Sequence, residues 1–305
     1  MKARLFFPSA RTIAIGNSIA VALTLCLGLS SAAYAQKDFK SPEEAMTTFG
    51  NAVANNDEAT LKALLGNDFR ELIPPVGAEI RSRFLRAWDA SHAIQATDAE
   101  HADIAVGNDG WTFPIPLVKS AQGWHFDTRA GVEEMRLRRI GRNELAVIQT
   151  MLAIYDAQRE YAETDHDDSG VLSYATKLSS SPGKRDGLYW PTGSDDKPSP
   201  LGAAFMTAGA RNTGQTGYNG YHYKLLTSQG PHAPGGAYDY VAHGKLFGGF
   251  GVIAWPVRYG DTGIKSFMVS HAGQVYERDL GPDGAKKAAA TTSFDPGPAW
   301  TKVSP

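Results

Sequence analysis

The sequence predicts an α+β protein in which a removable leader precedes two folded domains. Two observations support this expectation: amphipathic helices come before short strands in the first half, and one long helix comes before further strands in the second half. Helices and strands that are segregated along a chain are typical of helices packed against an antiparallel sheet. We therefore expect a cone-like domain of helices and a curved antiparallel sheet at residues 36–131. A long linking helix and a helix-on-sheet domain are expected at residues 132–305.

The first 35 residues have the pattern of an export signal. Three basic residues precede an apolar run at residues 13–29, and the small side chains of Ala33 and Ala35 fit the narrow site of the signal peptidase. We expect cleavage after Ala35, which predicts a periplasmic or secreted protein with no membrane span left after the cut. A retained membrane anchor is the alternative, but glycines and polar residues dilute the apolar run.

The cysteine and charge content narrows the possible functions. The sole cysteine, Cys26, lies in the leader, so the processed chain cannot form a disulfide, use a thiolate nucleophile or bind zinc through sulfur. Removal of the leader takes away three basic residues and no acidic ones, which changes the formal charge from −2 to −5. A mildly acidic protein lacks the basic face that neutralises phosphates, so nucleic acid is not an expected partner.

The first domain is predicted to open with three amphipathic helices. Ser41 and Glu44 form a capping box with Pro42 at the first helical position, and Asp57 is placed to cap a second helix. Apolar stripes at helical spacing extend the pattern as far as Trp88. Strands are expected at residues 102–106, 111–119 and 124–127.

The first domain combines three features: the opening Ser41-Pro42-Glu43-Glu44-Ala45, the step Ala54-Asn55-Asn56-Asp57 and a final tryptophan hairpin. It resembles the cone-shaped domain of the nuclear transport factor 2 and SnoaL superfamily. The resemblance implies a pocket between the sheet and the helices. The alternative interpretation is that the tryptophans line no pocket and belong to the hydrophobic core, as tryptophans on a half-buried sheet usually do. The side chains that would line such a pocket are Trp111, Trp124, His125 and Asp127.

One long helix is predicted over residues 132–161 as the link between the two domains. Four arginines cluster in its first turns, where positive charge opposes the helix dipole. Acidic partners such as Glu133 and Glu134, or residues of the first domain, are expected to offset these arginines. Binding to a membrane surface is the alternative, which the interruption at Gly141 makes less favourable.

The segment after the long helix has the opening spacing of a calcium loop. Asp165, Asp167 and Ser169 supply oxygens at loop positions one, three and five, and Val171 supplies a backbone carbonyl at position seven. Position twelve is Thr176, which cannot provide the bidentate carboxylate of a complete loop. Weak, structural binding of Ca²⁺ is one interpretation of this segment, and an ordinary aspartate-rich turn is the other.

The rest of the second domain is predicted to be an antiparallel sheet with one helix packed on it. An ordered irregular loop that contains aromatic residues comes first, at residues 181–191, and a short helix is expected at residues 203–208. Four strands are then expected at residues 221–227, 248–255, 264–270 and 275–279.

A set of five segments in the processed chain identifies a family. They are Arg139–Leu145, Asp156–Tyr161, Pro182–Pro191, Gly235–Tyr240 and Asp279–Gly281. Together they resemble an uncharacterised bacterial exported family known as domain of unknown function 2950, and the likeness covers nearly all of the processed chain. The resemblance implies an exported envelope protein that has no established activity.

The second half also resembles the globular lobe of type IV pilin-like proteins. This likeness rests on Asn143-Glu144 near the start of the long helix, on Asp156-Ala157-Gln158 later in it, and on the sheet segments 260–264 and 273–276. It implies a lobe used for docking. Assembly into a pilus is not expected, because the helix is internal and charged at its start.

The favoured function is that of a non-catalytic binding or scaffold protein in the cell envelope. Its partner would be an envelope protein or a saccharide, because aromatic side chains with polar edges suit both. The residues expected to contact this partner are Tyr189, Trp190, His232, Tyr238, Asp239, Tyr240 and Trp255.

The alternative is a hydrolase of an envelope polymer, with His232 and Asp239 as the acid–base pair. Gly-x-Ser-x-Gly and His-Glu-x-x-His do not occur in the sequence, so no catalytic residue is assigned. The only cofactor that the sequence suggests is Ca²⁺ at the loop that begins with Asp165.

Overall fold

The structure is a computed structural model that describes residues 36–73, 77–192, 197–203 and 217–303. The predicted leader at residues 1–35 and nearly all of the helix predicted at residues 203–208 lie outside these residues. The described part of the chain is an α+β protein, as expected, with helices and antiparallel sheets in both halves.

The first half begins with four helices where three were expected. Ser41 caps α1 (Pro42–Asn55), because its hydroxyl accepts a hydrogen bond from a backbone N–H of the first turn. Asp57 caps α2 (Glu58–Leu65) in the same way. Both caps confirm the prediction from the sequence. The remaining helices are α3 (Phe69–Leu72) and α4 (Ala78–Ala90).

A four-stranded antiparallel sheet follows, with its strands in chain order. Strand β1 is missing from the sequence-based prediction, because most of its side chains are exposed on both faces and give no alternating apolar pattern. The strand expected at residues 111–119 is shorter than predicted, since two prolines in this stretch cannot donate to a ladder. The strands are β1 (His92–Ala96), β2 (His101–Val106), β3 (Leu117–Ser120) and β4 (Gly123–Phe126).

Aromatic side chains pack between this sheet and the helices. The ring centre of Phe49 lies 4.5 Å from that of Phe113 and 5.6 Å from that of Phe126. Trp124 is buried in the same cluster, whereas Trp111 is exposed. The sheet therefore supports the core interpretation for Trp124, and Trp111 stands outside the core.

The long helix α5 (Thr128–Tyr161) connects the two halves without interruption. It begins four residues earlier than predicted, because Asp127 caps it by accepting from the Ala130 N–H at 2.9 Å. The expected acidic partners of the arginine cluster are present: Glu133 pairs with Arg136 and Glu134 pairs with Arg138. A third arginine, Arg139, pairs with Asp261 of the second half.

Two helical glycines should respond in opposite ways to substitution by alanine. In Gly50→Ala on α1, the new Cβ would lie 2.5 Å from the Trp88 ring, and overpacking of about 2 kcal/mol exceeds the helix-propensity gain of about 1 kcal/mol. In Gly141→Ala on α5, nothing lies within 4 Å of the new Cβ, so only the gain of about 1 kcal/mol remains. Urea denaturation should show Gly50→Ala less stable and Gly141→Ala more stable than the parent. Equal stability of the two variants would contradict the packing of α1 on α4.

The second half is built around a five-stranded sheet in the order β16-β14-β13-β12-β7. The four expected strands correspond to β7, β12, β13 and β14, and β16 adds an edge. The elements in chain order are β5 (Lys177–Ser179), β6 (Gly187–Tyr189), β7 (Tyr221–Leu226), β8 (Ser228–Gln229), β9 (Tyr238–Asp239), β10 (Val241–Ala242), β11 (Lys245–Leu246), β12 (Gly251–Pro256), β13 (Lys265–Ser270), β14 (Tyr276–Asp279), α6 (Gly284–Ala290), β15 (Ser293–Phe294) and β16 (Thr301–Lys302).

Helices cover both faces of this sheet. Val252 and Phe267 pack in one cluster with apolar side chains of α5, such as Met151. Their neighbours in sequence, Ile253 and Met268, point to the other face, where a second cluster contains Ala288 of α6. The antiparallel sheet is present as predicted, but it carries a helix on each face where the sequence predicted one helix. In the described residues, no helix combines the length and the apolar character that a membrane span requires.

Candidate functional site

The aromatic residues expected to form one binding face are distributed over core and surface. Trp190 is 7% exposed and Tyr240 is 1% exposed, so both are part of the core. Tyr238 is exposed, and its hydroxyl donates to the Gly248 carbonyl at 3.1 Å. Trp255 is half-buried beside His222, and Tyr189 ends β6. The structure thus differs from the single exposed aromatic face expected from the sequence.

His232 is paired with a different carboxylate from the one considered in the sequence. Its backbone N–H donates to the Asp295 carboxylate at 2.8 Å, and its ring Nδ1 lies 3.1 Å from the same carboxylate. Asp239 instead lies on β9, opposite Ser228 of β8. The structure therefore gives a His232–Asp295 pair in place of the His232–Asp239 pair of the hydrolase hypothesis.

The glycine-rich loop at residues 230–236 is fixed by one buried side chain. The amide of Gln229 donates to the Pro234 carbonyl at 2.7 Å and to the Gly236 carbonyl at 2.6 Å. The amide oxygen of Gln229 accepts from the Tyr240 hydroxyl at 3.0 Å. Because all three groups are satisfied inside the protein, this loop is a structural turn.

The segment with calcium-loop spacing forms a turn that is closed by protein groups. The Asp165 carboxylate accepts from the Gly170 N–H at 2.6 Å, and the Asp167 carboxylate pairs with the Lys245 ammonium at 2.9 Å. Ser169 also bonds to Lys245. An ammonium group thus lies among the oxygens that Ca²⁺ would need, and Val171 completes the exposed end of the turn.

Calcium would have to displace Lys245 before it could bind there. The described residues contain no group of three or more His, Cys, Asp or Glu side chains that could hold a metal ion. These residues therefore do not fit Ca²⁺ in this conformation, and calcium binding stays a prediction.

A cleft of about 580 Å³ opens beside this turn. Four segments form its walls: the end of α5 at Tyr161, the Asp165 turn with the following residues to Thr176, the loop at residues 183–186, and the turn between β10 and β11. The last turn contains His243 and Gly244, both with positive φ, as a two-residue hairpin connection requires. That hairpin places Lys245 at the edge of the cleft.

Stacked rings form one side of the cleft. The ring of His166 stacks on that of Tyr161, with centres 4.0 Å apart and planes inclined by 24°, and the Tyr161 hydroxyl donates to the Arg185 carbonyl at 2.6 Å. Burial lowers the pKa of His166, so its imidazole is neutral at pH 7. Burial also raises the pKa of the Tyr161 hydroxyl to about 12. Neither group supplies a charge to the cleft at neutral pH.

Basic side chains at the cleft differ in whether they form an ion pair with a carboxylate. Lys177 donates to the Asp186 carboxylate at 2.7 Å and holds the pKa of that carboxyl well below its usual range. Lys245 is neutralised by Asp167 as described above. Lys184 and Arg185 are exposed, and no described carboxylate forms an ion pair with either of them. The guanidinium of Arg185 lies 5.4 Å above the Trp190 ring. Among the described charged residues that line the cleft, Lys184 and Arg185 are therefore the two without an ion-pair partner, while the Asp165 carboxylate in the neighbouring turn is held by backbone N–H groups.

The sequence singled out only part of this cleft. Asp167 lines it and Trp190 lies beneath Arg185, but Lys184, Arg185 and Lys245 are not among the site residues that the sequence predicts. A usable signal was present in the Pro182–Pro191 segment, where Lys184 and Arg185 follow a Pro-Gly turn and precede aromatic residues. No local signal connects Lys245 to that segment.

Comparison with known proteins gives one finding about the family. The family model described as a protein of unknown function, DUF2950, matches residues 36–303. A search of the curated proteins and a search of the solved structures returned no match.

Proposed function

The chain belongs to the DUF2950 family of proteins of unknown function, and from this premise we propose that it is an exported, non-catalytic binding protein whose cleft takes an acidic saccharide of the cell envelope. The observation that carries the proposal is the pair of exposed cations, Lys184 and Arg185, at a cleft whose lining carboxylates, Asp167 and Asp186, are already paired. An anionic group of a ligand would complete this charge pattern, since guanidinium and ammonium groups form strong hydrogen bonds to carboxylates.

The rest of the cleft suits a sugar. Its volume of about 580 Å³ is in the range of small-molecule sites, so one or two sugar rings would fill it. Tyr174 and His166 provide ring surfaces with polar edges, and Ser173 and Thr176 provide hydroxyls that can bond to sugar hydroxyls. Among the described residues that line the cleft, no serine, threonine or tyrosine hydroxyl is hydrogen-bonded to a histidine ring or a carboxylate, which favours binding over bond cleavage.

Export is the second part of the proposal, and the leader pattern at residues 1–35 supports it. The full-length chain should be expressed in a bacterium with an outer membrane, and the periplasmic fraction should be analysed by intact mass. We expect a product that begins at Gln36. A full-length product confined to the cytosol would refute export without bearing on the cleft.

Two matched disaccharides test the ligand. N-acetylglucosaminyl-N-acetylmuramic acid and diacetylchitobiose differ by one lactyl ether, which carries a carboxylate, so calorimetry with both measures the contribution of this acidic group. We expect the acidic disaccharide to bind at least tenfold more tightly, since a hydrogen bond to a charged group contributes about 1.5–3 kcal/mol. Equal affinities, no binding of either compound, or hydrolysis of either would contradict the proposal.

A charge-matched pair of variants tests the site. The double variant Lys184→Ala/Arg185→Ala should bind the acidic disaccharide at least tenfold more weakly and should bind the neutral disaccharide with unchanged affinity. Arg83→Ala/Arg86→Ala removes the same charge from an exposed face of α4 and should change neither affinity. If both double variants weaken binding equally, the effect comes from net charge and the cleft is not the site.

A further inference from the structure

Strand β1 forms one edge of the four-stranded sheet, and it lacks the features that usually protect an edge. The five residues His92–Ala96 include no lysine, proline or glycine, and the pairing with β2 contains no bulge. Among the described residues, no hydrogen bond reaches the backbone of this strand from its outer side. An edge of this kind is a template for another strand.

The hydrogen bonds at both ends of β1 show which residues face outward. The Gly107 N–H donates to the Ser91 carbonyl at 2.8 Å, and the Thr97 N–H donates to the His101 carbonyl at 3.0 Å. Both pairs continue the register of β1 with β2, so the odd-numbered residues bond to β2. The residues whose N–H and C=O groups point away from the sheet are therefore His92, Ile94 and Ala96.

We propose that β1 pairs with β1 of a second copy of this chain, antiparallel and about a twofold axis at Ile94. Ile94 would lie opposite Ile94 of the partner subunit, and His92 would lie opposite Ala96 of the partner subunit. All outward-facing backbone groups of the strand then meet a complementary group, which gives about six hydrogen bonds and a continuous eight-stranded sheet.

The strand itself indicates a copy of this chain as the occupant. Its outward groups are placed symmetrically about its central residue, so a second β1 fits without a shift of register. Its side chains include no lysine, arginine or carboxylate, so no like charges of the strand face each other across the twofold axis. A C2 interface requires this self-complementarity.

Proline at position 96 tests the interface without breaking the sheet of one subunit. Ala96→Pro removes an outward N–H, whereas the bonds to β2 come from odd-numbered residues, and proline is tolerated at such edge positions. Sedimentation equilibrium of the processed chain should show a mass that rises to twice the monomer mass with concentration. Ala96→Pro should keep the monomer mass at the same concentrations, with a circular dichroism spectrum like that of the parent.

Cysteine variants test the register even if Ala96→Pro fails to fold. The chain from Gln36 onward has no cysteine, so Ile94→Cys introduces its only thiol. Opposite residues of a bonded antiparallel pair lie about 5.5 Å apart at Cα, within disulfide range. Mild oxidation should link Ile94→Cys into a covalent dimer and leave the control Thr97→Cys monomeric, because residue 97 lies far from its copy. A monomer at all concentrations, or a dimer that forms no Ile94→Cys link, would overturn the proposal.

Discussion

Replacement of Gln158 by leucine should destabilise the protein by about 3 kcal/mol, because each buried polar group left without a partner costs about 1–3 kcal/mol. Gln158 is fully buried on α5. Its amide donates to the Ala175 carbonyl at 3.0 Å and accepts from the Ala175 N–H at 2.8 Å. Leucine has a similar volume but bonds to neither group, so both backbone groups of Ala175 lose their partner. Urea denaturation followed by circular dichroism measures the loss.

The matched control for Gln158→Leu lies on the same helix. Gln149→Leu makes the same chemical change at an exposed position of α5 and should alter the free energy of unfolding by less than about 0.5 kcal/mol. Tyr174 and Thr176 flank Ala175 and line the cleft, so Gln158→Leu should also weaken binding of the acidic disaccharide. If both variants are as stable as the parent, the hydrogen bonds of Gln158 do not hold this segment.

Local signals in the sequence were sufficient for most of the helices and strands. The caps at Ser41 and Asp57 and the apolar periodicity of α5 depend only on neighbouring residues, and all three are confirmed. The predicted start of α5 is too late, because the sequence assigns Asp127 to the end of a strand, whereas in the structure the strand ends at Phe126 and Asp127 caps the helix. Strand β1 was missed because it is defined by its pairing with β2 and not by an apolar pattern.

The cleft was less predictable because long-range contacts between irregular segments form it. Lys245 reaches Asp167 across 78 positions of sequence, and the Tyr161 hydroxyl fixes the loop of Arg185 across 24. The spacing of Asp165, Asp167 and Ser169 was recognised, but the cation beside them is an ammonium from a distant hairpin. Sequence spacing identifies the oxygen ligands that a turn can offer, and tertiary structure decides which cation they meet.

The helix α5 contacts the second half near its middle and the first half near its start. Asn143 donates to the Thr262 carbonyl at 2.8 Å, and the Glu144 carboxylate accepts from the backbone N–H groups of Ile264 and Lys265 at 2.8 and 2.9 Å. At its start, Gly131 packs against Ile115 of the first half. These contacts explain why Asn143-Glu144 stands out in the sequence: the pair joins the helix to the beginning of β13. The same helix carries Tyr161 to one wall of the cleft, where its hydroxyl fixes the irregular segment at Arg185.

Gln229→Leu should cost about 3 kcal/mol, for the same physical reason as Gln158→Leu but in a different place. The substitution leaves the carbonyls of Pro234 and Gly236 and the hydroxyl of Tyr240 without their partner. The turn at residues 230–236 would then lose the side chain that fixes it. Urea denaturation measures the loss of stability, and faster proteolysis within residues 230–236 should accompany it.

The variant Tyr240→Phe distinguishes the contribution of the hydrogen bond between Tyr240 and Gln229 from that of the two hydrogen bonds between Gln229 and the loop. This variant removes one hydroxyl from a buried site and should cost about 1 kcal/mol, because Gln229 keeps both bonds to the loop. In the double variant Gln229→Leu/Tyr240→Phe, no unpaired hydroxyl remains, so its loss should be smaller than the sum of the two single losses. Additive losses would show that Tyr240 and Gln229 act independently. Since His232 lies on the same turn, a loss of order there would also separate it from Asp295, and its ring would no longer be held beside a carboxylate.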